Sequence, residues 1–258
     1  MDLGIADRTA IVTGAGGGLG GAIVKALAGE GAKVAACDIS AEALEKTVAE
    51  SDGRVSPYAF DLADLGALES VVERVRSDLG TPSILVGITG GPPPAAALET
   101  RVEDWEKYFR ALVSPVIRLA GLLLPDMRTQ GWGRIITSTS SGVVTPIPNL
   151  ALSNGLRSSL VGWSKTLAGE VAEDGVTVNV VVPGRIETQR VRALDEAKAK
   201  REGLPVEEVT AASTATIPAR RYGRPDEYAD VVVFLASERA SYVNGAMIRV
   251  DGGLIPSI

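Results

Sequence analysis

The chain predicts an α/β fold, a doubly wound parallel sheet built as one domain. Short apolar, β-branched runs alternate with helix-like segments along its whole length. The strand cores are continuous apolar runs, as for strands covered on both faces. The first such run, Thr9 to Val12, opens into the glycine-rich turn Gly14-Ala15-Gly16-Gly17-Gly18-Leu19-Gly20; a helix follows, then a second run, Lys33 to Asp38, ending in an acid. That is the strand–turn–helix–strand order of a Rossmann-type dinucleotide-binding unit.

Each piece has a chemical reason. Gly14 and Gly18 let the backbone turn tightly and approach a pyrophosphate, and Gly20 lets the helix pack closely on the strand. The helix starting near Gly18 aims free N–H groups and a positive dipole end at phosphates. Asp38 can accept hydrogen bonds from both adenosine ribose hydroxyls and would repel a 2′-phosphate. No Lys or Arg lies in the turn. NAD(H) is therefore expected in preference to NADP(H).

Ser40 caps a helix running to about Glu50. Arg54 to Phe60 is a third strand, followed by Asp61-Leu62 and a helix from about Ala67 to Leu79. Ser83 to Ile88 is a buried fourth strand opening into Thr89-Gly90-Gly91-Pro92-Pro93-Pro94, a stiff loop. Val102 to about Met127 is a long apolar helix with a kink or break expected at Pro115. Gly133 to Ser138 is a fifth strand, Asn149 to Ala172 a helix, Val176 to Val182 a sixth strand. Arg190 to Arg201 is helix-like, Pro225 to about Ser237 is a helix, and Ala246 to Val250 is the last strand. Ligands of open α/β sheets sit beyond the C-terminal strand ends. Thr13–Gly20, Asp38, Asp61, Thr89–Pro94, Ser138–Ser141 and Pro183–Thr188 fall there. Residues 185–219 are expected to cover the substrate as a helical lid, with the charged run Asp195 to Glu202 a solvated helix face and Arg220-Arg221 at the surface.

Composition excludes whole classes of function. The 258 residues carry a net charge of −6 and no basic block, so nucleic acid is not an expected partner. With no histidine and one cysteine, Cys37, the chain has no Ser-His-Asp triad, no intrachain disulfide and no expected metal site. Met1 to Thr9 has acids and no apolar core, so no signal peptide is expected. No apolar run is read as long enough to span a bilayer, and a reducing cytoplasm is the expected location.

Several further stretches resemble one family over nearly the whole chain: Thr13 to Gly20, Asp61-Leu62, Gly133 to Ile136, Val178-Asn179-Val180-Val181-Val182-Pro183-Gly184, Gly223 to Glu227, and Asn244-Gly245 through Asp251-Gly252-Gly253. Together they resemble a short-chain dehydrogenase/reductase, in particular members labelled 3-oxoacyl-carrier-protein reductase-like. The resemblance implies a nicotinamide cofactor, a small-molecule carbonyl or alcohol substrate and a homotetramer or homodimer. It places the cofactor along Gly14, Gly17, Gly18, Leu19, Gly20, Asp38, Asp61, Leu62, Gly90, Arg157, Pro183, Gly184, Ile186 and Thr188. Thr188 would bind the nicotinamide carboxamide or cap a helix, and Asp61 would meet the adenine edge or cap the following helix.

The family uses a Tyr as proton donor or acceptor, a Lys that lowers its pKa, a Ser that polarises the carbonyl and an Asn supporting a water relay. Carried over residue by residue, the Ser falls on Ser140, the Tyr on Ser153, the Lys on Arg157 and the Asn on Leu112, a core residue. Ser153 and Arg157 are four apart on a helix and face the same way. Arg157 can hold a ribose or an anion but does not shuttle protons at neutral pH, and a serine hydroxyl is a much poorer acid than a phenol. The resulting expectation is an NAD(H)-dependent oxidoreductase with an altered relay through Ser140, Ser153 and Arg157. Two alternatives stand beside it: a cofactor-binding protein without turnover, and a non-redox enzyme on the same scaffold. Halohydrin dehalogenases, which also carry Arg at the Lys position, keep the Tyr and lose the nucleotide loop, the opposite on both counts.

Overall fold

The computed structural model describes residues 2–51 and 53–258. Seven strands form one parallel sheet: β1 (Thr9–Thr13), β2 (Lys33–Asp38), β3 (Val55–Ala59), β4 (Pro82–Gly87), β5 (Gly133–Ser138), β6 (Val176–Pro183) and β7 (Met247–Val250), in the order β3-β2-β1-β4-β5-β6-β7. Each expected strand is present within two residues of its predicted ends. Alternate residues of β1 feed opposite layers. Ala10 and Val12 join Ile23, Val24 and Leu27 of α1 (Gly18–Gly29) and Tyr228, Val232 and Leu235 of α9 (Pro225–Leu235). Ile11 joins Leu68 and Val72 of α3 (Ala67–Leu79) and Leu119 and Leu123 of α5 (Ser114–Gln130) on the other side. Both faces are therefore covered, which is why the strand cores are apolar throughout.

α2 (Ala41–Ala49) is capped as expected by Ser40, whose Oγ accepts from Ala43 N at 3.2 Å. The long apolar segment breaks in two. α4 (Val102–Leu112) ends at Val113, and α5 begins with Pro115 in its first turn, where a missing N–H costs nothing. One expectation is corrected here. Val102–Gln130 is long and apolar enough, by length and composition alone, to cross a membrane. It is divided at Val113, and its apolar face packs into the protein through Leu112, Val116, Leu119, Leu123 and Met127.

α6 (Ala151–Glu170) lies against α4 at Gly155, where a Cβ would come within 2.7 Å of the Trp105 ring. The segment after β6 forms α7 (Gln189–Glu202) and α8 (Val206–Ala215). Since all seven strands are parallel, their C-terminal ends share one edge, and the glycine turn, Asp38, Thr89, Ser138 and Pro183 gather there.

Candidate active site

The glycine turn is braced before any ligand arrives. Gly14 and Gly18 adopt φ of +62° and +55°, where a side chain would be strained. Thr13 Oγ1 donates to the Ile88 carbonyl at 2.7 Å and accepts from Ile88 N at 2.8 Å, tying the turn to the end of β4. Ala15 N donates to Cys37 O, and Thr47 Oγ1 donates to Ala15 O. A Cβ on Gly20 would overlap the Gly14 carbonyl oxygen, so α1 is seated directly on the turn. The first turn of α1 has neither a capping side chain nor an acid. Its N–H groups are left for an anion, and a Cβ at Gly17 would meet nothing within 4 Å. This cradle fits a pyrophosphate.

Asp38 stands at the end of β2. Its Oδ2 accepts from Gly16 N at 2.9 Å and its Oδ1 from Ser40 N at 3.0 Å. An ionised carboxylate offers about four acceptor positions, so capacity remains for two ribose hydroxyls. Asp61 is exposed and accepts from Ala63 N at 2.8 Å, shaping the turn. Asp64, not Asp61, accepts from the first amides of α3, Gly66 N and Ala67 N. Leu62 is packed against the α3–α5 core layer.

Ser140 follows β5 and opens a short turn, its Oγ accepting from Gly142 N at 3.2 Å. A Cβ on Gly142 would overlap Asn154 Oδ1. Asn154 donates to Ile147 O at 2.9 Å, and its Oδ1 is buried without a partner among the described residues. Ser153 and Arg157 share the inward face of α6 with Leu152, Leu156 and Leu160, as their spacing requires. Ser153 Oγ makes no hydrogen bond among the described residues. Arg157 is 7% exposed. Its guanidinium donates to Thr89 Oγ1 at 3.4 Å, to Thr89 O at 3.3 Å and to Gly90 O. Burial, and then the charge of Arg190, lower its pKa to about 10, which leaves it cationic at neutral pH.

Pro183–Thr188 is held by backbone bonds to Gly223: Glu187 N donates to Gly223 O and Gly223 N to Arg185 O. Ile186 is buried beneath them, and Gly184 lies against Asp251. Thr188 caps α7, its Oγ1 accepting from Val191 N at 3.4 Å, and its Cγ2 lies over Gly18.

Asp195 corrects the expectation of a solvated face. It is 4% exposed, accepts from Tyr222 Oη at 2.7 Å and lies 3.6 Å from Arg185. The sequence shows only its charged neighbours, whereas the buried turn of α7 needs an acceptor for Tyr222. Asp195→Ala removes that acceptor from a phenol and a cation together. At about 1–3 kcal/mol for a buried group left unpaired, faster proteolysis within 185–219 is expected, with little change in global Tm. Cleavage at the wild-type rate would contradict this. Arg221 is at the surface, paired with both Glu227 oxygens at 2.7 Å, and Arg220 donates to Ala215 O.

Tyr228 and Arg190 were not foreseen in the site. The Tyr228 phenol, fully buried, meets Ser138 Oγ at 2.7 Å; burial pushes its pKa above the usual tyrosine range, with Ser138 and Arg157 pulling the other way. The Arg190 guanidinium turns its amino edge toward Gly91, where a Cβ would lie 2.2 Å from Nη2, 2.4 Å from Nη1 and 2.7 Å from Cζ.

A family model described as Enoyl-(Acyl carrier protein) reductase matches residues 14–255. The chain is 34% identical over 251 residues to the 3-oxoacyl-[acyl-carrier-protein] reductase FabG of Thermotoga maritima, covering 96% of this chain and 98% of the relative. It is 32% identical over 252 residues to the D-beta-hydroxybutyrate dehydrogenase of Cupriavidus necator, covering 96% and 98%. L-sorbose reductase from Gluconobacter frateurii, solved with NADPH and L-sorbose, superposes with a TM-score of 0.94 at 33% identity over the full length of both chains.

Proposed function

Because the chain belongs to the short-chain dehydrogenase/reductase family, we propose that it is an NAD(H)-dependent oxidoreductase of a small carbonyl or alcohol substrate, working with an atypical proton relay. The observation that carries this is the braced glycine cradle, with the uncapped start of α1 on one side and the Asp38 carboxylate on the other. A bound nicotinamide would supply the hydride chemistry. The residues supply the rest. The α1 amides hold phosphate oxygens, Asp38 holds the ribose hydroxyls, and Thr188 and Ile186 close over the site from the 185–219 lid.

Ser140 polarises the reacting carbonyl. Arg157 fixes charge and geometry without exchanging its proton. Ser153 stands where a phenol would donate, so the proton passes through substrate, solvent or the two serines. Those substitutions also favour a second reading, a cofactor-binding protein without turnover. A homotetramer or homodimer in a reducing cytoplasm fits the same proposal.

The solved L-sorbose reductase complex holds NADPH, so the NAD(H) preference is tested first. Titration with NADH and NADPH, followed by nicotinamide fluorescence, is expected to give tight NADH and weak NADPH binding. Binding of neither would overturn the dehydrogenase assignment. In Asp38→Ala, two charge-assisted bonds of roughly 1.5–3 kcal/mol each go, together with the repulsion of a 2′-phosphate. NADH affinity is expected to fall at least tenfold and the gap to NADPH to narrow; unchanged NADH affinity would remove Asp38 from the ribose site.

A further inference from the structure

Two arginines converge on the loop that follows β4, and neither has an acid. Arg157 is buried and donates only to Thr89 and to the Gly90 carbonyl, all uncharged acceptors. Arg190, in the first turn of α7 and exposed to solvent, brings the amino edge of its guanidinium against Gly91. Among the described residues no carboxylate lies within ion-pair distance of either, although their neighbours are paired: Arg185 with Asp195, and Arg192 with Glu187 at 2.8 Å. Burying one cation, Arg157, beside a second, solvent-exposed one, Arg190, costs free energy that an anion placed between them offsets. Guanidinium forks bind planar oxyanions in two-pronged fashion.

We infer that the substrate of this site carries a carboxylate, held over Thr89-Gly90-Gly91 by Arg157 from α6 and Arg190 from α7. The inference rests on the oxidoreductase assignment and names its substrate class. It also gives the Arg at position 157 a task beyond that of a lysine that lowers the pKa of a neighbouring tyrosine. Arg190 lies on α7, so the same contact would draw the 185–219 segment down when substrate is bound. Burial, and then the nearby charge of Arg190, lower the Arg157 pKa to about 10, and an anion at this point offsets both.

The test uses the whole protein with NADH bound, reading nicotinamide fluorescence as malonate or oxamate is added and, separately, malonamide or acetamide. Saturable binding of the two carboxylates is expected, at least tenfold tighter than that of the uncharged amides. Arg190→Ala should weaken carboxylate binding at least tenfold while leaving the NADH Kd within about twofold, and Arg190→Lys should recover part of the loss because it keeps a point charge.

Equal binding of amides and carboxylates, or an unchanged carboxylate Kd in Arg190→Ala, would overturn the inference and leave the oxidoreductase assignment standing. Parallel loss of NADH and carboxylate affinity in Arg190→Ala would overturn it too, by assigning Arg190 to the cofactor pyrophosphate. Absence of NADH binding in the unmodified protein would overturn both.

Discussion

Gly20→Ala is expected to lower the melting temperature by about 2–12 °C and to abolish tight NADH binding. The added Cβ would overlap the Gly14 carbonyl oxygen and lie 2.6 Å from its carbon and 3.0 Å from Ala15 Cα. All three are backbone atoms of the braced turn, so no rotamer change relieves the overlap. Either α1 lifts from the sheet or the turn moves, and the turn is tied to β4 through Thr13 and to β2 through Asp38. Overpacking of this kind costs about 1–3 kcal/mol, and each kcal/mol shifts Tm by about 2–4 °C in a chain of this size. Gly17→Ala is the paired control. Its φ of 165° is extended backbone that any residue adopts, and its Cβ would meet nothing. Gly17→Ala should keep the wild-type Tm and lose only NADH affinity, because the methyl enters the cradle. A Gly20→Ala protein that melts and binds like wild type would contradict the packing described for α1.

The second large effect is a gain. Ser153→Tyr combined with Arg157→Lys is expected to raise carbonyl turnover about 100-fold or more over the native chain, the usual range for a positioned general acid being about 10²–10⁴-fold. A phenol titrates near 10, far below an aliphatic hydroxyl, and a lysine ammonium beside it stabilises the phenolate. The two positions lie one helical turn apart on the buried face of α6, so each substitution has value chiefly in the presence of the other. Strong non-additivity is therefore expected, and a limb in the kcat–pH profile should appear in the double variant and in neither single one. A double variant no faster than the native chain would show that the proton already has an efficient route that bypasses position 153.

The fold was legible because its signals are local. Apolar runs mark the strands of a covered parallel sheet, Ser40 marks a helix start, Pro115 marks a kink or break in the long apolar segment, and the spacing from Gly14 to Asp38 sets out one strand–turn–helix–strand unit. Gly20 was understood as a packing residue from spacing alone, and the structure puts it against Gly14. What stayed hidden depends on residues far apart in the chain. Tyr228 meets Ser138 across 90 residues, and Arg157 reaches Thr89 across 68; no periodicity encodes such pairs. The burial of Asp195 is hidden in the sequence for a different reason. It sits in a run of charges that resembles a solvated helix, and only the position of Tyr222, 27 residues on, makes its burial affordable. Asp61 and Asp64 show the smallest scale of this problem, since two acids three residues apart are both plausible caps until the turn between them is seen.

The strand order β3-β2-β1-β4-β5-β6-β7 has a consequence for synthesis on the ribosome. As the chain emerges from its amino end, β2 joins one side of β1 and β3 joins β2; β4 then takes the free side of β1, and β5, β6 and β7 follow outward in turn. Every newly made strand meets an edge already available, and none has to be inserted between two that are paired. Nascent chain could thus be laid down as sheet without dismantling what came before, whereas the glycine cradle gains its cover only when Thr188 has left the exit tunnel, some 170 residues after the cradle itself.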